Sequence, residues 1–237
     1  MTKTALVLWD VDNTLIANGG VSKDNYGAAF SRLTGRRPEH RAVTGGSTDF
    51  LIIADLCERH GITFTDDMAK RLPAALHEAM DERREELARR GRELPGARAA
   101  LAALAEDERV VQSVLTGNLA HNAFVKVDTF GLAGPLDFAV GGYGDDDRVR
   151  ANLVAVAQDR AGAKYGASFA RANTVLIGDT PNDVRAGVNG GAKVLAVASG
   201  KDSAEVLARE GADIVLPDLA DTDAFLAAVK TLLDAAR

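Results

Sequence analysis

The sequence predicts an α/β protein: a doubly wound, Rossmann-like parallel sheet as the core, with an inserted α-helical cap domain. In the C-terminal two thirds of the chain, short apolar runs alternate with helical patterns, which implies parallel strands covered by helices on both faces. Between the first apolar run and that region, Ser22 to Arg92 shows helical patterns without a convincing strand. We therefore predict a core at residues 1–16 and 93–237 and a cap at residues 17–92.

The individual elements follow from the same patterns. The first strand is predicted at Thr4–Trp9, a β-branched and apolar run that ends at an acidic residue. Cap helices are predicted at 22–34, 47–60 and 65–90, and Pro73 is expected to bend or divide the third. Asn18-Gly19-Gly20 is predicted as the hinge between core and cap. In the core, helices are predicted at 97–105, 120–130, 150–162, 183–189, 203–210 and 221–235, and strands at 110–115, 138–140, 174–177, 193–197 and 213–216.

Composition limits the classes of function. The chain has 237 residues, of which 46% are hydrophobic and 26% charged, and its net charge is −6, values typical of a globular protein. Acids and bases are mixed along most of the chain, which argues against a nucleic-acid partner. Cys57 is the single cysteine, and no long apolar segment indicates export or a membrane span. We expect a cytoplasmic protein without a nucleic-acid or membrane partner; the oligomeric state is not predicted.

Three polar segments each follow a predicted strand. They are Asp10-Val11-Asp12-Asn13-Thr14, Thr116-Gly117-Asn118 and Gly178-Asp179-Thr180-Pro181-Asn182-Asp183. The carboxyl ends of the parallel strands in a doubly wound fold lie along one edge, where such folds bind ligands. We therefore expect all three segments to border one site.

This arrangement would bring four carboxylates together, those of Asp10, Asp12, Asp179 and Asp183. Like charges in a small space repel each other, and removal from water makes the repulsion worse. A divalent cation between them would remove the conflict. Ligands that are all oxygen atoms favour Mg²⁺ over zinc, so Mg²⁺ is the predicted cofactor.

The order of the motifs resembles the haloacid-dehalogenase-like (HAD) hydrolase superfamily, and within it the phosphoglycolate-phosphatase-like branch with a helical cap. The resemblance covers nearly the whole chain: a DxDxT box, a helical cap, a hydroxyl residue after the second strand, a basic residue and a GDxxxD motif. It implies an enzyme, a Mg²⁺-dependent phosphatase that hydrolyses a small phosphorylated metabolite through an aspartyl-phosphate intermediate.

The resemblance also implies roles for the acidic residues. Asp10 would be the nucleophile, and Asp12 the general acid and base. Dehalogenases lack this second aspartate because a halide needs no proton, so Asp12 argues for phosphoryl transfer. The implied metal ligands are Asp10, Asp12 through its backbone carbonyl, Asp179 and Asp183.

The phosphate group has its own implied partners. The Thr116 hydroxyl would donate to a phosphate oxygen, and backbone N–H groups around Asn13, Gly117 and Asn118 would complete the binding site.

One basic residue is expected to neutralise Asp10 and the phosphate. Relatives place a lysine there, in a K-P-x-P stretch ahead of a helix. Aligning that helix with NLVAVAQDRAG puts Arg148 at the position of the lysine, whereas the prolines are absent. We predict that Arg148 neutralises Asp10 and the phosphate, since its planar guanidinium suits phosphate. Arg150 and Lys126 are the alternatives.

Two other functions stay open at this point. A phosphomutase of sugar phosphates would use the same Asp10 but return the phosphate to a sugar, and a non-catalytic phosphate-binding module would need no nucleophile with a paired acid. In the cap, Gly45-Gly46-Ser47-Thr48-Asp49 could form an anion-binding helix N-terminus or a capped turn.

Overall fold

The computed structural model describes residues 2–234 and has the predicted α/β architecture. The strands in this range are β1 (Ala5–Trp9), β2 (Ile16–Ala17), β3 (Arg92–Glu93), β4 (Val110–Val114), β5 (Thr174–Gly178), β6 (Lys193–Val197) and β7 (Ile214–Leu216). The α-helices are α1 (Val21–Thr34), α2 (Asp49–Glu58), α3 (Asp66–Asp81), α4 (Arg84–Arg90), α5 (Ala97–Ala105), α6 (Ala120–Thr129), α7 (Asn152–Tyr165), α8 (Pro181–Gly190), α9 (Ala204–Arg209) and α10 (Thr222–Asp234). None of these helices is long and apolar enough to cross a membrane.

Five strands form one parallel sheet in the order β4-β1-β5-β6-β7. The first strand of the chain is therefore an inner strand, between β4 and β5. The Asp10 N–H donates to the Ile177 carbonyl at 2.8 Å, so the sheet pairing continues one residue beyond β1. The segments that follow β1, β4 and β5 consequently lie side by side at the carboxyl edge of the sheet.

The side chains of β1 alternate between the two faces of this sheet, as expected for a strand. Val7 and Trp9 belong to the core on the face covered by α5 and α10, where the Trp9 and Phe225 rings lie 5.4 Å apart. Leu6 and Leu8 belong to the core on the face covered by α7 and α8. Because β1 is buried on both faces, the position of the residues that follow it is well defined.

The inserted segment contains α1 to α4 and has an apolar core of its own. Phe30, Ile53, Leu56, Leu72 and Leu76 are fully buried in it. The chain enters through β2 and leaves through β3, and these two strands pair antiparallel. The predicted division at residues 16/17 and 92/93 falls at this ribbon, and the independence of the two parts as domains stays a prediction.

Two predicted elements differ from the structure. Residues 138–140 form a 3₁₀ turn instead of a strand, because the Asp137 carboxylate accepts from the Ala139 N–H and starts a tight turn there. The third cap helix is divided at Glu82–Arg83, between α3 and α4, and not at Pro73. Pro73 lies inside α3, whose buried face is continuous from Met68 to Met80.

Candidate active site

A cavity of about 510 Å³ lies between the carboxyl edge of the sheet and the cap. Loops after β1, β4 and β5 form its floor, and residues of α1, α2 and the segment between these helices form its roof. The predicted site residues that line it are Asp10, Asp12, Asn13, Thr116, Gly117, Asn118 and Asp179. Asp183 lies behind the cavity wall, and Arg148 lies outside the cavity.

Three buried carboxylates form the polar centre of the floor. One oxygen from each of Asp10, Asp179 and Asp183 lies within 4.8 Å of the others. Asp183 is held by its helix terminus, because its Oδ2 accepts from the Thr180 N–H (2.9 Å) and hydroxyl (2.6 Å) at the start of α8. Asp179 Oδ2, by contrast, is buried without a hydrogen-bond partner among residues 2–234.

Burial and mutual repulsion disfavour the ionised form of two of these carboxyl groups, those of Asp10 and Asp179. Burial, with the neighbouring Asp183, raises the pKa of Asp10 to about 7, although Arg150 opposes the shift. Burial and Asp183 raise the pKa of Asp179 to about 9. Both carboxyl groups therefore keep a proton to higher pH than an ordinary aspartate does, and a further positive charge beside them would favour their ionised forms.

A divalent cation fits this donor set. Hard cations such as Mg²⁺ prefer carboxylate oxygens, and the unpartnered Asp179 Oδ2 is the kind of buried atom that a ligand would satisfy. Asp10, Asp179 and Asp183 would hold the ion, and it would add positive charge next to a bound phosphoryl group. The Asp12 carboxylate points elsewhere, so only its backbone carbonyl is left as the ligand that the resemblance implies, and that role stays a prediction.

Arg150 is the basic residue that reaches the carboxylates. Its Nη2 donates to Asp10 Oδ1 at 2.7 Å and also pairs with Asp183. Its Nη1 donates to the Gly46 carbonyl of the cap at 2.8 Å. The side chain is only 9% exposed, so its charge acts on Asp10 with little screening by solvent.

The prediction that Arg148 occupies this position is wrong. Arg148 is exposed, and its guanidinium lies 5.5 Å from the centre of the Phe50 ring. The Asp147 carboxylate accepts from the Val149 N–H (2.7 Å) and from the Asn152 side chain (2.9 Å), which turns the chain just before α7. This turn carries Arg148 outward and Arg150 inward. Without the two prolines of the family pattern, nothing holds the segment extended.

Asp12 lies in a separate hydrogen-bonded group. Its Oδ2 accepts from Lys126 Nζ (2.6 Å) and from Asn118 Nδ2 (2.9 Å), and its Oδ1 accepts from Asn18 Nδ2 (2.6 Å). Burial alone would raise the pKa of Asp12, but the charge and hydrogen bond of Lys126 and the two amide donors outweigh it, so the pKa lies below its usual value of 3.8.

Lys126 is almost completely buried, with 1% of its side chain exposed. It projects from α6 and also donates to Asn118 Oδ1 at 2.6 Å. From the sequence, Lys126 is expected only as an alternative phosphate partner. The structure instead pairs it with Asp12, a contact that depends on which face of α6 packs toward β1 and that has no local sequence signal. Asn18 was assigned to the hinge, and its contact with Asp12 was likewise not predicted.

The residues expected to bind phosphate lie together at the cavity floor. The Thr116 hydroxyl accepts from Asn118 Nδ2 at 2.8 Å, which fixes the two side chains relative to each other. Asn13 has a left-handed backbone, φ 61°, a conformation that asparagine tolerates better than most residues. Its carbonyl accepts from the Ser199 hydroxyl at 2.6 Å. The structure thus brings these residues to one place, and their contact with phosphate stays a prediction.

Comparisons with known proteins agree with this architecture. Residues 150–222, which contain Arg150, Asp179 and Asp183, match a family model described as "HAD-hyrolase-like". A search of curated protein sequences finds no match.

Solved structures match over most of the chain. A hydrolase from Pseudomonas syringae has a TM-score of 0.68 at 20% identity, covering 95% of this chain and 99% of that one. A provisional β-phosphoglucomutase from Bacteroides vulgatus has a TM-score of 0.68 at 20% identity, covering 98% and 91%. A predicted phosphoglycolate phosphatase from Haemophilus somnus 129pt has a TM-score of 0.63 at 18% identity, covering 95% and 99%. The resemblance to the HAD-like hydrolases that the motifs predict is therefore confirmed, in sequence over residues 150–222 and in fold over nearly the whole chain.

Proposed function

We propose that this chain is a Mg²⁺-dependent phosphatase that hydrolyses small phosphomonoesters through an aspartyl-phosphate on Asp10. The observation that carries the proposal is the position of the Asp10 carboxylate. It borders the cavity and at the same time belongs to the carboxylate group that fits a cation. A nucleophile for phosphoryl transfer needs both a path to the substrate and positive charge beside the transferred group. The phosphatase and hydrolase names of structural neighbours point the same way.

In the first proposed step, a carboxylate oxygen of Asp10 attacks phosphorus. The bond from phosphorus to the ester oxygen breaks, and the leaving oxygen takes a proton from Asp12. In the second step, a water oxygen attacks phosphorus and gives its proton to the Asp12 carboxylate. The bond from phosphorus to Asp10 then breaks, which releases inorganic phosphate and restores both aspartates.

The residues around Asp12 suit its two roles, as general acid in the first step and general base in the second. Lys126 and the two amide donors stabilise the ionised carboxylate that the second step needs. The first step needs a proton on Asp12, and the Lys126 ammonium, whose Nζ donates to Asp12 Oδ2 at 2.6 Å, is the adjacent donor from which Asp12 would take it. On the other side of the cavity, Arg150 orients Asp10 through Oδ1. A bound Mg²⁺ would offset the charge of the phosphoryl oxygens.

The cavity size suits a small substrate. Its volume of about 510 Å³ lies within the usual range for small-molecule sites, and the cap forms its roof. A roof of this kind limits access by water during the attack on phosphorus. We therefore expect a phosphorylated metabolite as substrate and not a phosphorylated macromolecule.

The test is a panel of phosphorylated metabolites, assayed for phosphate release with Mg²⁺ and with a chelator. We expect release that depends on Mg²⁺ in the wild-type protein and none in the Asp10→Asn variant. Asp107→Asn is the matched control, because Asp107 precedes β4 at the opposite, amino edge of the sheet. Phosphate release that survives the Asp10→Asn change would contradict the proposal. Conversion of a hexose 1-phosphate into an isomer without phosphate release would identify a phosphomutase instead.

A further inference from the structure

A short cap segment, residues 45–49, makes direct contact with three segments of the core. We call it the docking segment. Asn182 and Arg150 donate to the carbonyls of its two glycines, at 2.6 and 2.8 Å. The Asp49 N–H donates to the Gly117 carbonyl at 2.8 Å. The loop after β4, the first turn of α8 and the turn before α7 are thus all in contact with one cap segment.

Within this segment, Asp49 is a buried acid that the proposed reaction does not use. It is the first residue of α2 and is 1% exposed. Its Oδ1 accepts from the Tyr26 hydroxyl of the cap at 2.6 Å, and its Oδ2 accepts from the Leu119 N–H of the core at 2.9 Å. Burial raises the pKa of Asp49 to about 6, against the opposing charge of Lys126 and these two hydrogen bonds. A buried carboxylate is destabilising unless hydrogen bonds compensate for its loss of water. Here one hydrogen-bond donor comes from the cap and the other from the core.

The backbone of Asp49 acts on the loop that carries the predicted phosphate-binding residues. A peptide unit is planar and trans, so its C=O and N–H groups point in opposite directions. The Gly117 carbonyl is held by the Asp49 N–H, and therefore the N–H of the same peptide unit, that of Asn118, points away from the cap segment. It is directed to the Thr116 hydroxyl, 3.4 Å away, at the cavity floor.

The close approach depends on the absence of a side chain at Gly117. A Cβ atom there would lie 2.2 Å from the Ser47 carbonyl oxygen and 2.8 Å from its carbon, both of them backbone atoms. Backbone atoms cannot rotate away as a side chain can. The docking segment and the Gly117 loop therefore fit each other only at a glycine.

From these contacts we propose that Asp49 is a positioning residue of the phosphate site. When the cap rests on the core, the N–H and carboxylate of Asp49 hold Gly117 and Leu119, and this fixes the direction of the Asn118 amide between them, beside the Thr116 hydroxyl where the phosphate is expected to bind. The inference rests on the proposed phosphatase function, because it assigns the amide a phosphate partner. The proposal assigns Asp49 no contact with the phosphate or with the nucleophile.

The test compares Asp49→Ala and Asp49→Asn with the control Asp66→Ala. Asp66 is the first residue of α3, as Asp49 is of α2, but it is exposed and far from the docking contacts. The readouts are kcat and KM for p-nitrophenyl phosphate with Mg²⁺, and hydrogen exchange of the Leu119 and Asn118 amides.

Asp49→Ala keeps the backbone N–H that holds Gly117 but removes the carboxylate that holds Leu119, so one end of the Asn118 segment is released. We expect this variant to lower kcat by roughly tenfold to a hundredfold, the effect of a misdirected oxyanion donor, with a smaller change in KM. Asp49→Asn should keep most of the activity, because its amide oxygen can accept from Leu119 while its NH₂ group donates to the Tyr26 oxygen. Asp66→Ala should behave as the wild type. Among these three variants, only Asp49→Ala should show faster hydrogen exchange of the Leu119 amide than the wild type.

An unchanged kcat in Asp49→Ala would overturn the proposal, as would an equal loss in Asp66→Ala, which would indicate general weakening of the cap. If Asp49→Ala does not fold, Asp49→Ser, whose hydroxyl is too short to reach Leu119, takes its place with the same expectation. If the wild type itself releases no phosphate, the phosphatase proposal fails. The positioning role of Asp49 is then tested by hydrogen exchange of the Leu119 amide alone. Unchanged exchange at Leu119 in Asp49→Ala would then overturn the positioning role.

Discussion

Replacing Arg150 by leucine is expected to destabilise the metal-free protein and, at the same time, to enlarge its stabilisation by Mg²⁺. Arg150 is the buried positive charge that pairs with Asp10 and Asp183. Leucine fills part of the same volume but leaves the carboxylates without that charge. The two effects have one cause, because the charge that is lost from the protein can be replaced by a bound cation.

The size of the effect follows from burial. Removing one partner of a buried ion pair costs about 3–5 kcal/mol, and the 9% exposure of Arg150 places it in this class. For a chain of 237 residues this corresponds to a fall in Tm of roughly 6–20 °C. The loss should be larger at about pH 8 than at about pH 6, because the pKa of Asp10 rises further without Arg150. At about pH 6 the Asp10 proton is largely bound in both folded proteins. At about pH 8 it is largely lost only from the wild type, so the variant alone carries the added cost of an acid that ionises more easily in the unfolded chain.

The assay is differential scanning calorimetry with chelator and with Mg²⁺. Arg148→Leu is the matched control, since Arg148 is exposed and its contact with the Phe50 ring is worth about 0.5–1 kcal/mol. We expect a small shift for Arg148→Leu and a large one for Arg150→Leu that Mg²⁺ partly reverses. A chelated Arg150→Leu protein as stable as the wild type, or one that gains less from Mg²⁺ than the wild type does, would refute the reasoning.

Three further predictions concern other parts of the site. Lys126→Met should move the acidic limb of the pH–rate profile to higher pH. Without the Lys126 ammonium the pKa of Asp12 rises, so the ionised carboxylate is lost at a higher pH as the solution is acidified. An unmoved acidic limb would contradict the pairing of Asp12 with Lys126. Gly117→Ala should lower activity sharply while leaving the sheet intact by circular dichroism, because the new Cβ would lie 2.2 Å from the Ser47 carbonyl oxygen of the cap. Normal activity in this variant would contradict the contact between the docking segment and the Gly117 loop. Mg²⁺ binding should release protons at about pH 7 and tighten as pH rises, since Asp10 and Asp179 have raised pKa values of about 7 and about 9 without metal. Calorimetric titration in buffers of different ionisation enthalpy measures this proton release. Binding without proton release would count against these ligands.

The fold was largely predictable because its elements have strong local patterns. The run Ala5–Trp9 is apolar throughout and ends at an acid, as a strand buried on both faces should. The residues after β1 and β5 could be placed together from the sequence, because the carboxyl ends of parallel strands meet at one edge of a sheet. The 3₁₀ turn at residues 138–140 was missed, since three apolar residues have no periodicity that separates a turn from a strand.

Contacts that depend on a single turn or on packing between distant segments were not predictable in the same way. The choice between Arg148 and Arg150 is decided by the hydrogen bonds of Asp147, which reverse the direction of two neighbouring side chains. The contact of Asp49 with Gly117 needs both the fold of the cap and its position on the core. Neither contact has a spacing or composition that would reveal it in the sequence.

The charges at the cavity floor support one divalent cation and not two. When ionised, Asp10, Asp179 and Asp183 carry three negative charges within 4.8 Å, and Arg150 supplies one positive charge to the same group. Two negative charges are left uncompensated, which is the charge of a single Mg²⁺. Asp12 adds none to this balance, since Lys126 neutralises it separately. In the substrate-free site, a second divalent ion would leave the group with a net positive charge in a buried place, which is unfavourable without a further anion.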